Sequence, residues 1–84
     1  MTLRIYSIRD FASNTYGTPF FSTNDKTALR DFGHLKSDSR SLVGSYPHDF
    51  KLFCLGVFDD ATGKIVPDNF LVEDLEIEDN GTDS

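Results

Sequence analysis

Eighty-four residues are too few for two hydrophobic cores, so one domain is expected. Hydrophobic residues at 38% and charged residues at 26% exclude a wholly disordered chain, and the longest apolar run, around Leu52 to Phe58, is far short of the roughly 20 residues that cross a bilayer. The net charge of −6 is unevenly placed: seven bases meet five acids from Met1 to Lys51, whereas one base, Lys64, meets nine acids from Leu52 to Ser84.

Thr2 to Arg9 carries β-branched and aromatic residues on both alternating faces, the pattern of a strand inside a sheet. Ser13 to Thr18, with Asn14 and Gly17, reads as a turn, after which Pro19-Phe20-Phe21-Ser22 reads as a short second strand that starts at its proline. Asn24 and Asp25 then offer a helix cap. From Asp25 to about Lys36, Ala28, Leu29, Phe32 and Leu35 fall on one face at the 3.6-residue period. Ser37 to Pro47 is rich in Ser, Asp and Gly and reads as a long loop with one short turn around Ser39 to Val43.

Phe50 to Phe58 is apolar on both faces and bounded by acids, as expected of a central strand. Asp59-Asp60-Ala61-Thr62-Gly63 supplies a hairpin turn, and Lys64-Ile65-Val66 returns from it until Pro67, which is expected to stop the pairing. Residues 73 to 84 contain six acids and no base and read as an acidic, disordered C-terminal tail beside a folded domain of residues 1 to 72. The expected fold is α+β: a small antiparallel sheet of about four strands in the order β-β-α-β-β with one helix packed on it. Two strands apolar on both sides leave a second face to be covered, either by the Ser37 to Pro47 loop or by another copy of the chain, so a homodimer is expected.

Little in the chain points to catalysis. His48-Asp49 beside several serines suggests a triad, but neighbours on an extended segment point opposite ways and no glycine-flanked nucleophile turn is present. His34, His48 and Cys54 lack the paired spacing of zinc ligands, and Cys54 reads as a small buried hydrophobe. Asp59, Asp60 and Gly63 lack the alternating acids of a calcium loop. No enzyme activity, metal or cofactor is expected, and with no signal-peptide pattern and one cysteine the expected compartment is the cytoplasm.

The binding signals are more coherent. Lys26, Arg30 and His34 stand at i, i+4 and i+8 on the helix, and Arg4, Arg9, Lys36 and Arg40 add further cations that could meet phosphates. The simpler alternative for the helix residues is an ordinary solvated face. Tyr6, Tyr16 and Tyr46 are candidates to stack on unpaired bases, against the alternative that such rings belong to the core. The acidic end is either a solubilising extension or a polyanion that competes with nucleic acid for the basic surface.

Leu3-Arg-Ile-Tyr-Ser-Ile-Arg-Asp10, Pro19-Phe20-Phe21 with Asn24-Asp25, and Tyr46-Pro-His-Asp-Phe50 running into Leu55-Gly-Val-Phe-Asp-Asp60 and Thr62-Gly63 together resemble the small nonstructural protein of gokushoviruses, single-stranded DNA phages of the Microviridae. The resemblance spans about Thr2 to Ile65. It implies a protein of the infected bacterium's cytoplasm, absent from the virion, with a part in single-stranded genome synthesis or packaging and no enzymatic activity. It carries over no binding residues position by position. Two functions are therefore expected in competition: a non-catalytic single-stranded DNA-binding protein, or an interaction module for the phage replication or capsid-assembly proteins or a host factor.

Overall fold

In a computed structural model of the protein, residues 1–72 are described; the acidic segment 73–84, and with it the expectation of a disordered tail, lies outside them. Five strands and two helices follow the order β1 (Thr2–Asp10), β2 (Thr15–Tyr16), β3 (Phe20–Ser22), α1 (Asp25–Ser37), α2 (Leu42–Ser45), a single 3-10 turn (Pro47–Asp49), β4 (Phe50–Asp59) and β5 (Ile65–Leu71). All strand pairings are antiparallel. The sheet runs β2-β1-β4-β5, with β3 on the same partner, β1, as β2. The expected α+β architecture, with a central β4, is the one observed.

The first hairpin turns earlier than its composition suggests. Asp10 accepts the Ala12 N–H through its side chain at 2.9 Å, its carbonyl accepts the Asn14 N–H at 2.8 Å, and Asn14 takes the left-handed conformation at φ 64°. Asparagine tolerates that conformation better than most side chains, so the chain reverses within residues 11–14. Thr15 and Tyr16 therefore pair with Asp10 and Arg9 instead of forming the expected loop. Gly17 to Pro19 then breaks the return strand before Phe20 pairs with Tyr6.

Helix α1 starts where expected. Asn24 caps it by accepting the Thr27 N–H at 2.8 Å, and Asp25 places a negative charge at the positive end of the helix dipole. Ala28, Leu29 and Phe32 pack into the core with Tyr6, Leu52, Cys54 and Val72, while Leu35 at the helix end is left 40% exposed. Each large apolar side chain buried there contributes about 1.5–3 kcal/mol.

The segment expected to be a long loop folds back beside α1 as α2. Ser41 caps it by accepting the Gly44 N–H at 2.9 Å. A Cβ on Gly44 would lie 1.9 Å from the Asp38 carbonyl oxygen, so only glycine permits this approach. Val43 packs on the same core as α1, and so this segment covers the helix-bearing side and leaves the other side of the sheet open.

Pro67 does not end the second hairpin. Pairing continues to Phe53↔Leu71 and Val72 N–H donates to Leu52 O at 2.9 Å. β5 lies at the sheet edge, where one side of the strand has no partner among the described residues, and there a proline is tolerated. Opposite Pro67 stands Gly56 at φ 154°; a Cβ there would come within 2.4 Å of the Val66 carbonyl oxygen. The register shifts between Cys54 and Gly56 against both neighbours of β4: Leu55 is the extra residue against β1, whereas against β5 the two residues Asp68 and Asn69 stand opposite it. No helix among the described residues is long and apolar enough to cross a membrane.

Candidate nucleic-acid interface

Alternation sorts the strands into two faces. Tyr6, Ile8, Leu52 and Cys54 point toward α1, so their neighbours Ser7, Arg9, Lys51 and Phe53 point to the opposite, helix-free side. Register fixes which of these meet: Arg9 lies directly opposite Lys51, and Ser7 opposite Phe53.

Aromatic rings gather around this pair. The Tyr16 ring stands edge-on to Phe53 with centroids 5.7 Å apart and planes at 80°, and Phe11 tilts against the same ring at 6.1 Å. The Arg9 guanidinium lies between them, 4.8 Å from the Phe11 centroid and 5.1 Å from that of Tyr16. Cation–ring contacts of this kind are worth about 0.5–1 kcal/mol where exposed. Tyr16 is fixed by two donors to its hydroxyl, Arg9 Nη1 at 3.1 Å and Asn69 Nδ2 at 3.3 Å, which hold its pKa below the ordinary phenol value, Asn69 first and Arg9 second. The Asn14 side chain accepts from Arg9 Nη2.

Charge on this face is unbalanced. Like charges directly opposite each other across a sheet repel, and no salt bridge among the described residues reaches Arg9 or Lys51. Arg9 Nε is enclosed without any hydrogen-bond partner, a condition that costs about 1–3 kcal/mol for a buried donor. Two adjacent cations without a carboxylate partner among the described residues, set beside the partly exposed rings of Phe11 (47%) and Tyr16 (38%), form a surface suited to an anion that also carries flat apolar groups.

Away from these cations the same face becomes purely apolar. Phe21 stands edge-on to Phe58 at 5.8 Å, opposite Ile5 in the ladder, with Leu3 and Ile65 opposite Phe58 on its two sides. Phe21 is 54% and Ile65 60% exposed.

The residues singled out from sequence are divided among three places. Arg9 and Tyr16 lie on the open face. Tyr6 does not belong with them: it is fully buried, stacked on Phe20 at 5.9 Å, and its hydroxyl donates to Asp25, so no base can reach its ring. Burial first, and that hydrogen bond second, push its pKa well above the ordinary phenol range. Arg4 is on the helix-bearing side, 3.5 Å from Asp25 Oδ1.

Lys26, Arg30 and His34 do form one exposed stripe on α1, but it faces away from Arg9 and Lys51 across the whole thickness of the molecule. Lys36 stands 5.2 Å over the Phe32 ring, and Arg40 is held by Asp38 at 3.1 Å, which also keeps that carboxyl below its usual pKa. Tyr46 caps α2 and lines a hollow of about 260 Å³ with Leu42, Asp49 and Phe50, also on the helix-bearing side. Sequence reasoning missed Phe11, Lys51, Phe53 and Asn69. Lys51 and Phe53 alternate with Leu52 and Cys54, so a two-sided reading of β4 already placed them together.

Asp59 to Gly63 form the hairpin turn expected of them. The Asp59 side chain accepts the Ala61 N–H at 2.9 Å and Gly63 takes φ 75°. Among the described residues no three His, Cys, Asp or Glu side chains are grouped as metal ligands would be.

The sequence matches the Phage ORF5 protein family over residues 3–76, which takes in every strand and helix described except Thr2 at the start of β1. The chain belongs to the Phage ORF5 protein family. It is therefore a phage accessory protein. No curated protein and no solved structure matches it. Within this family member, the opposed cations and rings of the helix-free sheet face are the feature with the clearest chemical use.

Proposed function

We propose that this Phage ORF5 family member is a non-catalytic protein that binds single-stranded DNA on its open sheet face, in the cytoplasm of the infected bacterium, during genome synthesis or packaging. The observation that carries the reading is the Arg9–Lys51 pair: two cations opposed across β1 and β4, without carboxylate partners among the described residues, beside Phe11, Tyr16 and Phe53. Phosphates supply the missing countercharge and unpaired bases supply the flat groups that stack on rings. Duplex DNA offers only the first. Stacking on an aromatic ring is worth about 1–3 kcal/mol per base and tolerates any sequence. The narrower attribution, to the nonstructural protein of gokushoviruses and so to a single-stranded DNA phage, belongs to the same proposal and rests on the sequence resemblance from Thr2 to Ile65.

Fluorescence anisotropy of a labelled oligodeoxythymidylate tests this reading. Binding is expected at low salt, and with Arg9 and Lys51 each meeting one phosphate the log–log salt slope should be about −1.4. Absence of binding at low salt to the intact chain and to a chain with its acidic segment neutralised removes the proposal.

A second reading is favoured by the other half of the face. Leu3, Ile5, Phe21, Phe58 and Ile65 carry no charge, and Phe21 and Ile65 are more than half exposed. Such a surface suits contact with a protein, whether a second copy of this chain, a replication or capsid-assembly protein of the phage, or a host factor. Light scattering at high protein concentration separates the homodimer from the rest by mass.

A further inference from the structure

We propose that the acidic segment 73–84 occupies the Arg9–Lys51 half of the open face in the absence of nucleic acid and must be displaced for DNA to bind there. The inference rests on the reading of that face as an anion-binding surface. The exit point of the chain argues for it first. Leu71 pairs with Phe53 and Val72 donates to Leu52, so the described chain ends one ladder step short of the position opposite Lys51. Arg9 lies on β1, two strands from β5, about 10 Å across the sheet. Twelve residues span about 40 Å when extended, several times that distance.

Charge complementarity argues for it second. Residues 73–84 hold six acids and no base. Arg4 and Arg40 already have carboxylates at 3.5 and 3.1 Å, whereas Arg9 and Lys51 have none among the described residues. Unpaired cations near the exit point attract such a segment more than paired ones do.

Composition argues for it third. Leu75 and Ile77 stand among the acids, so the segment carries apolar side chains as well as carboxylates. The open face near the exit offers both kinds of partner, with Phe53 and the 38%-exposed Leu71 beside Lys51. The outer face of α1 offers Lys26 and Arg30 without an apolar surface between them.

The test compares the full chain with a full-length variant carrying Glu73→Gln, Asp74→Asn, Glu76→Gln, Glu78→Gln, Asp79→Asn and Asp83→Asn. In two-dimensional amide NMR without DNA, at low salt, the amides of Arg9, Tyr16, Lys51 and Phe53 should differ between the two proteins, and the difference should shrink in 0.5 M salt, where the Debye length falls to about 4 Å. Differences limited to residues next to the substitutions, or centred on Lys26 and Arg30, overturn the proposal. In a parallel titration with oligodeoxythymidylate the variant should bind several-fold more tightly at low salt, with the gain lost at high salt. Equal affinity overturns the competition. If neither protein binds DNA, the function proposed above fails, while the amide comparison still decides whether the segment sits on this face.

Discussion

The two sides of the sheet use the same residue types to opposite ends. On the covered side, Tyr6 is buried, its hydroxyl bonded to Asp25, and Arg4 is paired with the same carboxylate. On the open side, Tyr16 is 38% exposed, and Arg9 stacks on rings with no carboxylate oxygen within 4 Å among the described residues. A tyrosine and an arginine thus lock the core on one side and stand at the surface on the other. What separates the two roles is the company each side chain keeps.

The largest effect that tests this contrast is expected on the covered side. Leu52 is 1% exposed beneath the helix, so Leu52→Ala should lower unfolding stability by about 2–5 kcal/mol in a denaturant titration. Phe53, the next residue, points the other way. Phe53→Ala should weaken oligonucleotide binding by about 1–3 kcal/mol, measured by anisotropy, with a smaller loss of stability than Leu52→Ala. If Leu52→Ala and Phe53→Ala lose stability and affinity in the same proportion, the two faces are not functionally distinct.

How much of this was legible in the sequence follows from the range of the interactions involved. Helix α1 was readable because its cap, Asn24, and its apolar period are local, and β4 because Leu52 to Phe58 is apolar on both alternations. The β1–β2 turn comes earlier than composition indicates because Asn14 in the left-handed conformation, rather than the Gly17 and Pro19 that follow, sets the reversal. Pro67 reads as a stop in the sequence because its tolerance depends on β5 being an edge strand, which only the tertiary arrangement decides. The site was displaced for the same reason. Lys26 and Arg30 announce themselves by helical spacing, whereas Arg9 and Lys51 are forty-two residues apart and meet only through the β1–β4 register.

A smaller effect is expected from pH on the covered side alone. The Tyr6 pKa is raised by burial and by its bond to Asp25, so the neutral phenol favours the fold. That contribution is fully present below the unfolded phenol value of about 10 and is lost as pH climbs from there through the raised folded value. Stability of the intact protein should therefore decline above pH ~10, and Tyr6→Phe should lessen that decline in denaturant titrations across pH. An identical alkaline decline in Tyr6→Phe assigns it to other groups.

The smallest effect is expected on the outer helix stripe. Lys26→Gln with Arg30→Gln should change oligonucleotide affinity by less than about threefold, since each removes only general attraction and no phosphate contact. A loss equal to that of Lys51→Gln moves the interface from the sheet to the helix.

The most direct measurement is an amide NMR titration of the intact protein with oligodeoxythymidylate at low salt. The perturbed amides should cluster at Arg9, Phe11, Tyr16, Lys51 and Phe53 and leave Lys26, Arg30 and His34 unmoved. Perturbation centred on α1, with the β1 and β4 open-face amides unchanged, contradicts the account.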